Sequence, residues 1–404
     1  MKADSVVSPN PAVSPADGRE PALRHPGPEP RSHPRLHRVD GLRGLAVLLV
    51  LVHHFVEQLL PRATGTWQAH LATGLGLSFS GVDLFFVISG FLIGGILMNQ
   101  RAAPNFFAVF YARRCFRIIP LYYVFLLLCW LLARTAPGFP ASLYPLGSYF
   151  GFLSNFWMAA GRQWDTSAMA VAWSLAVEEQ FYLVIPLLVW VCPPRVLLGL
   201  TLAALAVTPL LRAGVLVVAP QYFLATHLVS PLRMDCLAFG VLVAIAWRQP
   251  GARAWLAARP RWPLAVALGL LPVLAWLTLR RPHGEAMPMA TIGYTTLGAF
   301  YSALLLGVLG NHPRWFVRLC EARWLVFTGR ISYFVYLFQG IAAWFVFRLF
   351  GRTLALASLQ DVWLVAFSLT LLFGVAVVSW VIFESRFLAL GQRFRYSDPS
   401  TAGG

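Results

Sequence analysis

Two basic side chains of different chemistry lie in the first apolar run of the chain, DGLRGLAVLLVLVHHF. Arg43 lies near its start and His54 near its end, eleven residues apart. On an α-helix that separation places both on one face, about 16 Å apart along the axis. Imidazole can take a hydroxyl proton near neutral pH, and arginine binds phosphate or carboxylate. The pair predicts one cavity with an anion site and a general base; the alternative is that His54 only packs between helices.

An acidic and a hydroxyl side chain lie in the second apolar run, GVDLFFVISGFL. Asp83 is near one end of the run, and Ser89 and Gly90 are within it. Ionisable groups inside a membrane span are costly and are candidates for function. Asp83 is therefore predicted to pair with Arg43, His54 or another arginine. Gly90 is predicted to allow close packing of another helix.

A pair of arginines enters the third apolar run in YARRCFRIIPLYY. Arg114 and Arg117 are three residues apart and share a helix face. Two guanidinium groups in this arrangement can bind the phosphates of a nucleotide-like donor. The alternative is an ordinary basic anchor at the membrane boundary.

The fourth run, VAWSLAVEEQFYLVIP, begins with polar side chains that packing alone does not explain. Glu178 and Tyr182 are one turn apart on one face, and Trp173 lies about 140° from Glu178 around the helix. Glu178 or Asp83 is predicted to orient His54 and stabilise its cation, as carboxylates do for other catalytic histidines.

Two further runs carry polar groups. Arg233 and Asp235 are close together in PLRMDCLAFG and are predicted to form a charge pair. The segment RISYFVYLFQG carries polar residues that either line a cavity or bond between helices. These residues are Ser332, Tyr333, Tyr336 and Gln339.

The elements that must position these side chains are membrane helices. The 404-residue chain is 58% hydrophobic and 12% charged, and its mean hydropathy is +0.66. This composition excludes an ordinary soluble protein and predicts an all-α polytopic membrane protein of about ten transmembrane helices. The expected spans are 43–60, 77–98, 118–134, 171–191, 196–211, 231–247, 263–279, 291–310, 329–349 and 362–383.

The distribution of positive charge predicts the orientation of these helices. If both termini are cytoplasmic, the segments on that side hold 23 of the 32 basic residues. The net charge of +16 thus needs no nucleic-acid partner. Residues 141–160 are apolar, but an extra span there would reverse the downstream charge bias. They are predicted to form an interfacial or re-entrant part of a long outer loop.

The rest of the chain is predicted to be simple in organisation. Residues 1–37 are rich in Pro, Arg and Ser and are expected to be a disordered cytoplasmic tail. The membrane domain is expected at 38–387 and a short cytoplasmic tail at 388–404. The five cysteines have no metal-type spacing and are predicted to be small apolar residues.

Four motifs in this order resemble the acyltransferase-3 family of integral membrane O-acyltransferases. They are DGLRG with its following histidine, GVDLFFVISGFL, RRxxRIxPLY and WSLxVEEQFYL, and the resemblance covers residues 38–387. The family implies ten helices, no metal and no tightly bound cofactor. It also implies acyl-CoA as a co-substrate reached from the cytoplasm, and an acceptor hydroxyl on a glycan or glycosylated metabolite.

The resemblance assigns roles to particular residues. Those matching the family motifs are Arg43 and His54, Asp83 and Ser89, Arg114 and Arg117, and Trp173, Glu178 and Tyr182. His54, Glu178 and Asp83 are expected to be catalytic, and the three arginines to bind the acyl donor. The other three are expected to line the pocket. Gln339 departs from the family, because many members have histidine there.

Two alternatives remain at this stage. A transporter or flippase in the bilayer also needs buried charges, but its typical internal repeats are not visible here. A lipid-linked glycosyltransferase is expected to carry acidic sites in long outer loops, and these loops have few acids. The family resemblance favours a bacterial plasma (inner) membrane.

Overall fold

The computed structural model describes residues 34–63, 65–279 and 287–397, and side chains from residue 37 onward. Within these ranges the chain is helical, with no β-strand. The helices are α1 (Pro34–Val52), α2 (Trp67–Gly74), α3 (Gly81–Gln100), α4 (Phe106–Thr135), α5 (Leu146–Phe150), α6 (Ser154–Gly161), α7 (Ala172–Val191), α8 (Pro194–Val218), α9 (Ala225–Leu228), α10 (Met234–Arg248), α11 (Pro250–Ala258), α12 (Trp262–Leu279), α13 (Tyr294–Leu309), α14 (Arg314–Glu321), α15 (Arg323–Leu349), α16 (Leu359–Ser379) and α17 (Ser385–Gln392). Three π-helical turns, His53–Glu57, Met289–Gly293 and Trp380–Glu384, adjoin α1, α13 and α16.

Nine helical segments of the described residues are long and apolar enough to cross a bilayer. They are built on α1, α3, α4, α7, α8, α12, α13, α15 and α16, and they confirm an all-α multi-pass membrane protein. The one expected span that is not among the nine, 231–247, forms a shorter helix. Its helix α10 has 15 residues, about 22 Å, because a 3₁₀ turn over Ser230–Leu232 replaces its first turn. α10 lies inside the bundle against α3, α8 and α13.

Glycine permits a close crossing of α3 and α10. A Cβ atom on Gly90 would lie 2.0 Å from the carbonyl oxygen of Leu237, and one on Gly240 would lie 2.1 Å from that of Val87. Any side chain at either position would push α3 and α10 apart. The structure therefore confirms the packing role predicted for Gly90.

A second close crossing joins α1 to α15. A Cβ atom on Gly329 would lie 1.8 Å from the carbonyl oxygen of Asp40. This contact brings the second turns of the two helices together. As a result, Arg43 of α1 reaches Ser332 of α15, with Nη2 3.4 Å from Oγ.

The 141–160 segment forms two short helices, α5 and α6, neither long enough to span. The loop is fixed by the buried carboxylate of Asp165, which accepts hydrogen bonds from Ser142 Oγ (2.9 Å), Ser167 Oγ (2.7 Å) and the Tyr149 hydroxyl. Burial raises the pKa of Tyr149, and the hydrogen bond to Asp165 raises it further. The loop is thus an ordered wall of the bundle.

The two predicted tails only partly fall in the described residues. Helix α1 begins at Pro34, inside the expected tail 1–37, and residues 1–33 lie outside the described ranges. Helix α17 ends at Gln392, inside the expected tail 388–404, of which residues 398–404 are not described.

Candidate active site

One end of α1 opens into a chamber of about 690 Å³. We name it the histidine chamber after His53 and His54, which both line it. Its other walls come from the loop after α6 and from α7, α9, α13 and α15. The residues that line the chamber include Glu57, Gln58, Arg62, Val82, Trp164, Asp165, Trp173, His227, Tyr294, Tyr336 and Gln339.

His54 is oriented by its own helix turn. Its Nδ1 is 3.0 Å from Gln58 Oε1, which can only accept, so this nitrogen carries the proton. The Gln58 amide nitrogen lies 3.1 Å from His53 Nε2, and His53 Nδ1 lies 2.7 Å from Glu57 Oε2. Arg62 completes the chain by donating to Glu57 Oε1 at 2.6 Å. Because the Gln58 nitrogen faces His53 and its oxygen faces His54, Nδ1 of His54 donates and Nε2 of His54 keeps its lone pair.

The π-helical turn His53–Glu57 makes this chain possible. Its wider turn brings residues five apart together, as for His53 with Gln58. Ideal α-helical geometry instead predicts that His53 points about 100° away from His54. The sequence prediction missed Glu57 and Gln58, although their i, i+4 spacing from His53 and His54 was a visible signal.

A second chamber, of about 490 Å³, lies at the other end of α1. We name it the arginine chamber after the three arginines that line it, Arg43, Arg114 and Arg117. It also contains three polar residues predicted from the motifs, Ser89, Glu178 and Tyr182. The structure thus brings together six predicted site residues from α1, α3, α4 and α7.

The arginines of this chamber have few protein partners. Arg43 contacts Ser332, and Arg114 Nε has no hydrogen-bond partner among the described residues. None of Arg43, Arg114 and Arg117 forms an ion pair in the described part of the chain. Three guanidinium groups facing one cavity without paired carboxylates suit an anionic ligand with several phosphates.

Glu178 is held by hydroxyl groups and not by an arginine. Its Oε1 accepts a hydrogen bond from Ser89 Oγ at 2.7 Å, and its Oε2 accepts one from the Tyr182 hydroxyl at 3.3 Å. Ser89 and Tyr182 are also 3.1 Å apart. The three side chains form a closed polar cluster on one wall of the arginine chamber, so Glu178 does not orient His54 in this structure.

The two chambers adjoin at a shared wall. Val82 and Tyr336 line both of them, and the Tyr336 hydroxyl is fixed by Ser174 Oγ at 2.6 Å and the Val171 carbonyl at 3.1 Å. Arg43 and His54 were predicted to face one cavity. They line two neighbouring chambers instead, because side chains from α3, α7 and α15 fill the space between the two ends of α1.

Asp83 lies in neither chamber. It is 1% exposed and accepts a 2.6 Å hydrogen bond from Arg233, which is itself 0% exposed. Arg233 also lies over the ring of Tyr294, 3.9 Å from its centroid. Of the partners predicted for Asp83, the structure shows another arginine, Arg233, and not Arg43 or His54: the carboxylate forms a buried ion pair between α3 and the start of α10, so it does not orient His54 in this structure.

The predicted pair of Arg233 with Asp235 is also wrong. Asp235 instead accepts a hydrogen bond from Arg212 of α8 at 2.7 Å, and Thr295 donates to the same oxygen at 2.6 Å. Both guanidinium groups find a carboxylate on a different helix. The two ion pairs together join α3, α8, α10 and α13, which is a packing role that spacing along the chain does not show.

Trp173 belongs to the histidine chamber, away from Glu178 and Tyr182. Its ring centroid is 4.6 Å from that of His227 and 6.1 Å from that of Trp164. The sequence prediction missed Trp164 and His227, because neither lies in a polar motif of a span. Only the folded outer loop and α9 bring them beside α7.

The described residues contain no group of three or more His, Cys, Asp or Glu side chains placed to hold a metal ion. The five cysteines are all free thiols. The polar side chains that line the two chambers carry guanidinium, imidazole, carboxylate, amide and hydroxyl groups.

Comparison with known proteins gives the family of this chain. The O-acetyltransferase OatA of Staphylococcus aureus (strain NCTC 8325 / PS 47) is 25% identical over 320 residues, which cover 74% of this chain and 49% of that protein. The peptidoglycan O-acetyltransferase OatA of Listeria monocytogenes serovar 1/2a is 26% identical over 319 residues, which cover 74% and 48%. The chain thus spans about half the length of these relatives, and no solved structure gives a significant match. A family model described as an acyltransferase domain matches residues 36–384, so the chain belongs to the acyltransferase-3 family.

Proposed function

We propose that this protein is a membrane O-acyltransferase that moves an acyl group, acetyl in the first instance, from acyl-CoA to a hydroxyl of a glycan or glycosylated metabolite. One observation carries the proposal. A chamber with three unpaired arginines adjoins a chamber in which a hydrogen-bond chain leaves His54 Nε2 free to accept a proton. The first suits a phosphate-rich donor, and the second suits a general base.

The donor binds with its phosphates in the arginine chamber. Arg114 and Arg117 hold them from α4, and Arg43 assists from α1. This chamber is proposed to lie on the cytoplasmic side, where acyl-CoA is available, and the bias of basic residues supports that orientation. The pantetheine arm then passes the shared wall at Val82 and Tyr336 and carries the thioester to His54.

Transfer at His54 follows general base catalysis. Nε2 takes the proton of the acceptor hydroxyl as its oxygen attacks the thioester carbonyl carbon. The C–S bond breaks, CoA thiolate leaves, and the imidazolium returns the proton to sulfur. Gln58 holds Nδ1–H, and His53 with Glu57 fixes the Gln58 amide, so the ring keeps the productive tautomer.

The acceptor class rests on the relatives. Two of them are named as O-acetyltransferases, one for peptidoglycan, and peptidoglycan is a hydroxyl-bearing glycan. Because this chain spans about half of those proteins, the acceptor and the complete activity of this chain are part of the proposal. The membrane is proposed to be a bacterial plasma membrane.

Replacing the base tests the proposal. We expect His54→Ala to lower transfer from radiolabelled acetyl-CoA in purified membranes by about 10²- to 10⁴-fold, with the folded protein retained in detergent. The matched control is His70→Ala, at an exposed histidine of α2. Near-normal turnover by His54→Ala contradicts the assignment. If the wild-type protein transfers no acetyl group but moves a substrate across the membrane of vesicles, the transporter alternative is supported.

A trapping experiment distinguishes direct transfer to the acceptor from a route through a covalent acyl-enzyme. Ser89 donates a hydrogen bond to Glu178 and so is the alternative acyl carrier. We expect no label on the protein after acid quenching with radiolabelled acetyl-CoA. Label lost in Ser89→Ala but present in the wild type contradicts direct transfer.

A further inference from the structure

The amide of Gln339 is buried without a partner. The side chain is 2% exposed, and neither its Oε1 nor its Nε2 has a hydrogen-bond partner among the described residues. It lies on α15, one turn after Tyr336, and lines the histidine chamber with His54. A buried amide without partners destabilises a fold, so its groups are expected to be satisfied by what enters the chamber.

The charged side chains of this chamber already have partners within the protein. Glu57 is paired with Arg62 and His53, and Asp165 accepts hydrogen bonds from several donors of the outer loop. This distinguishes it from the arginine chamber, where the cations face open space. A ligand of the histidine chamber is therefore electrically neutral in the part that it inserts.

Another part of the chamber wall is aromatic. Trp164 is 38% exposed, and its ring centroid lies 5.3 Å from that of His227, beside Trp173. Flat rings with a polar edge contact the C–H faces of a neutral, hydroxyl-rich ring well. On such a ligand the Gln339 amide offers one acceptor and two donors, which match hydroxyl groups.

We propose that Gln339 recognises the acceptor by hydrogen bonding to a second polar group, next to the hydroxyl that His54 deprotonates. This inference rests on the proposed acyltransferase function. It makes Gln339 a specificity-determining residue: an acceptor with one hydroxyl meets the base alone, whereas an acceptor with two neighbouring hydroxyls meets both side chains. The amide thereby selects which hydroxyl of a sugar ring is acylated.

The test pairs a change in the protein with a change in the acceptor. Acetyl transfer from acetyl-CoA is measured to methyl glucoside and to its 2-, 3- and 4-deoxy analogues, with Gln339→Leu, Gln339→His and the wild type. We expect Gln339→Leu to lower kcat/KM for methyl glucoside about tenfold, mainly through the KM for the sugar. We expect the KM for acetyl-CoA to change by less than about twofold, since the donor is held elsewhere.

The signature is a loss of discrimination. For the wild type, kcat/KM for one deoxy analogue is expected to be about tenfold lower than kcat/KM for methyl glucoside. For Gln339→Leu, the two values are expected to be the same. Gln339→His, which keeps a donor and an acceptor, is expected to regain most of the activity. The matched control is Gln221→Leu, at an exposed glutamine outside both chambers.

Each other outcome has a defined meaning. If Gln339→Leu and the deoxy sugar each lower kcat/KM and their effects multiply, the role of Gln339 is overturned. It is also overturned if Gln339→Leu has the kcat/KM of the wild type for the sugar. His54-dependent hydrolysis of acetyl-CoA that no sugar stimulates overturns it too, but leaves the proposed function standing. Absence of any acetyl-CoA turnover by the folded wild type refutes the proposed function itself.

Discussion

Two groups of arginines lie inside the helical bundle, and they differ in what faces each guanidinium. Arg212 and Arg233 are fully buried and contact Asp235 and Asp83 at 2.7 and 2.6 Å. Their charges are neutralised by carboxylates on other helices, with no cavity between them. A buried arginine that forms an ion pair with a carboxylate of another helix holds the two helices together, and neither Arg212 nor Arg233 lines either chamber.

The second group consists of Arg43, Arg114 and Arg117. These guanidinium groups are only partly buried, line an open chamber and form no ion pair within residues 34–63, 65–279 and 287–397. An unpaired cation inside a bundle is costly unless a ligand or water compensates it. The difference between the groups teaches that residue type alone does not separate a structural arginine from one that binds a ligand: the structural arginines are fully buried and paired with a carboxylate, and, among the described residues, the chamber arginines are neither.

Breaking a buried pair has the largest expected effect. Asp83→Leu leaves the Arg233 guanidinium buried and uncompensated, and we expect it to lower the free energy of unfolding by about 3–5 kcal/mol. Thermal unfolding in detergent, followed by size-exclusion chromatography, measures the loss. Much less folded protein is also expected in membranes.

Removing both charges sharpens the same comparison. The double replacement Asp83→Leu with Arg233→Met leaves no unpaired ion, so we expect it to recover most of the stability lost by the single change. Because Asp83 lies outside both chambers, transfer by the double variant is expected to stay within about tenfold of the wild type. A well-folded double variant with no activity contradicts the structural role and restores Asp83 as a catalytic candidate.

Removing a chamber arginine is expected to affect binding more than stability. Arg114→Met loses charge-assisted hydrogen bonds to phosphate, so we expect the KM for acetyl-CoA to rise about 10- to 100-fold. Its neighbour Arg113 is the matched control, because it points to the Phe394 carbonyl and the Tyr396 ring. Steady-state kinetics of Arg114→Met and Arg113→Met measure the difference.

A shorter donor tests whether phosphate is the group that is bound. With acetyl-pantetheine, which lacks the nucleotide phosphates, Arg114→Met is expected to differ little from the wild type. Equal losses with both donors, or an unfolding temperature that falls as far as in Asp83→Leu, place Arg114 among the structural arginines.

An exposed pair sets the lower limit of the comparison. Arg38 Nε lies 2.7 Å from Glu321 Oε1, but the Glu321 side chain is 40% exposed. Solvent screens such a pair, so Arg38→Gln is expected to cost less than about 1 kcal/mol in the same unfolding measurement. A loss as large as that of Asp83→Leu shows that ion-pair burial does not control stability in this bundle.

The motifs predicted which side chains of the arginine chamber share a helix face. Arg114 with Arg117, and Glu178 with Tyr182, are spaced to share helix faces, and the structure places all four at one cavity. Such predictions succeed because helix periodicity alone determines which side chains share a face. The hydrogen-bond chain of His54 is equally local, and the spacing of HHFVEQ contained the signal for Gln58.

Local patterns also determined the membrane class and the position of nearly all spans, because apolar length and helical period act within a few turns. The partners of Asp83 and Asp235, the wall at Tyr336 and the meeting of Trp164 with His227 depend on helices far apart in sequence. Their contacts arise from how helices cross, as at Gly90 and Gly240, and a crossing is a property of two surfaces together. Only the tertiary structure could decide which buried charges pair and which remain free to bind.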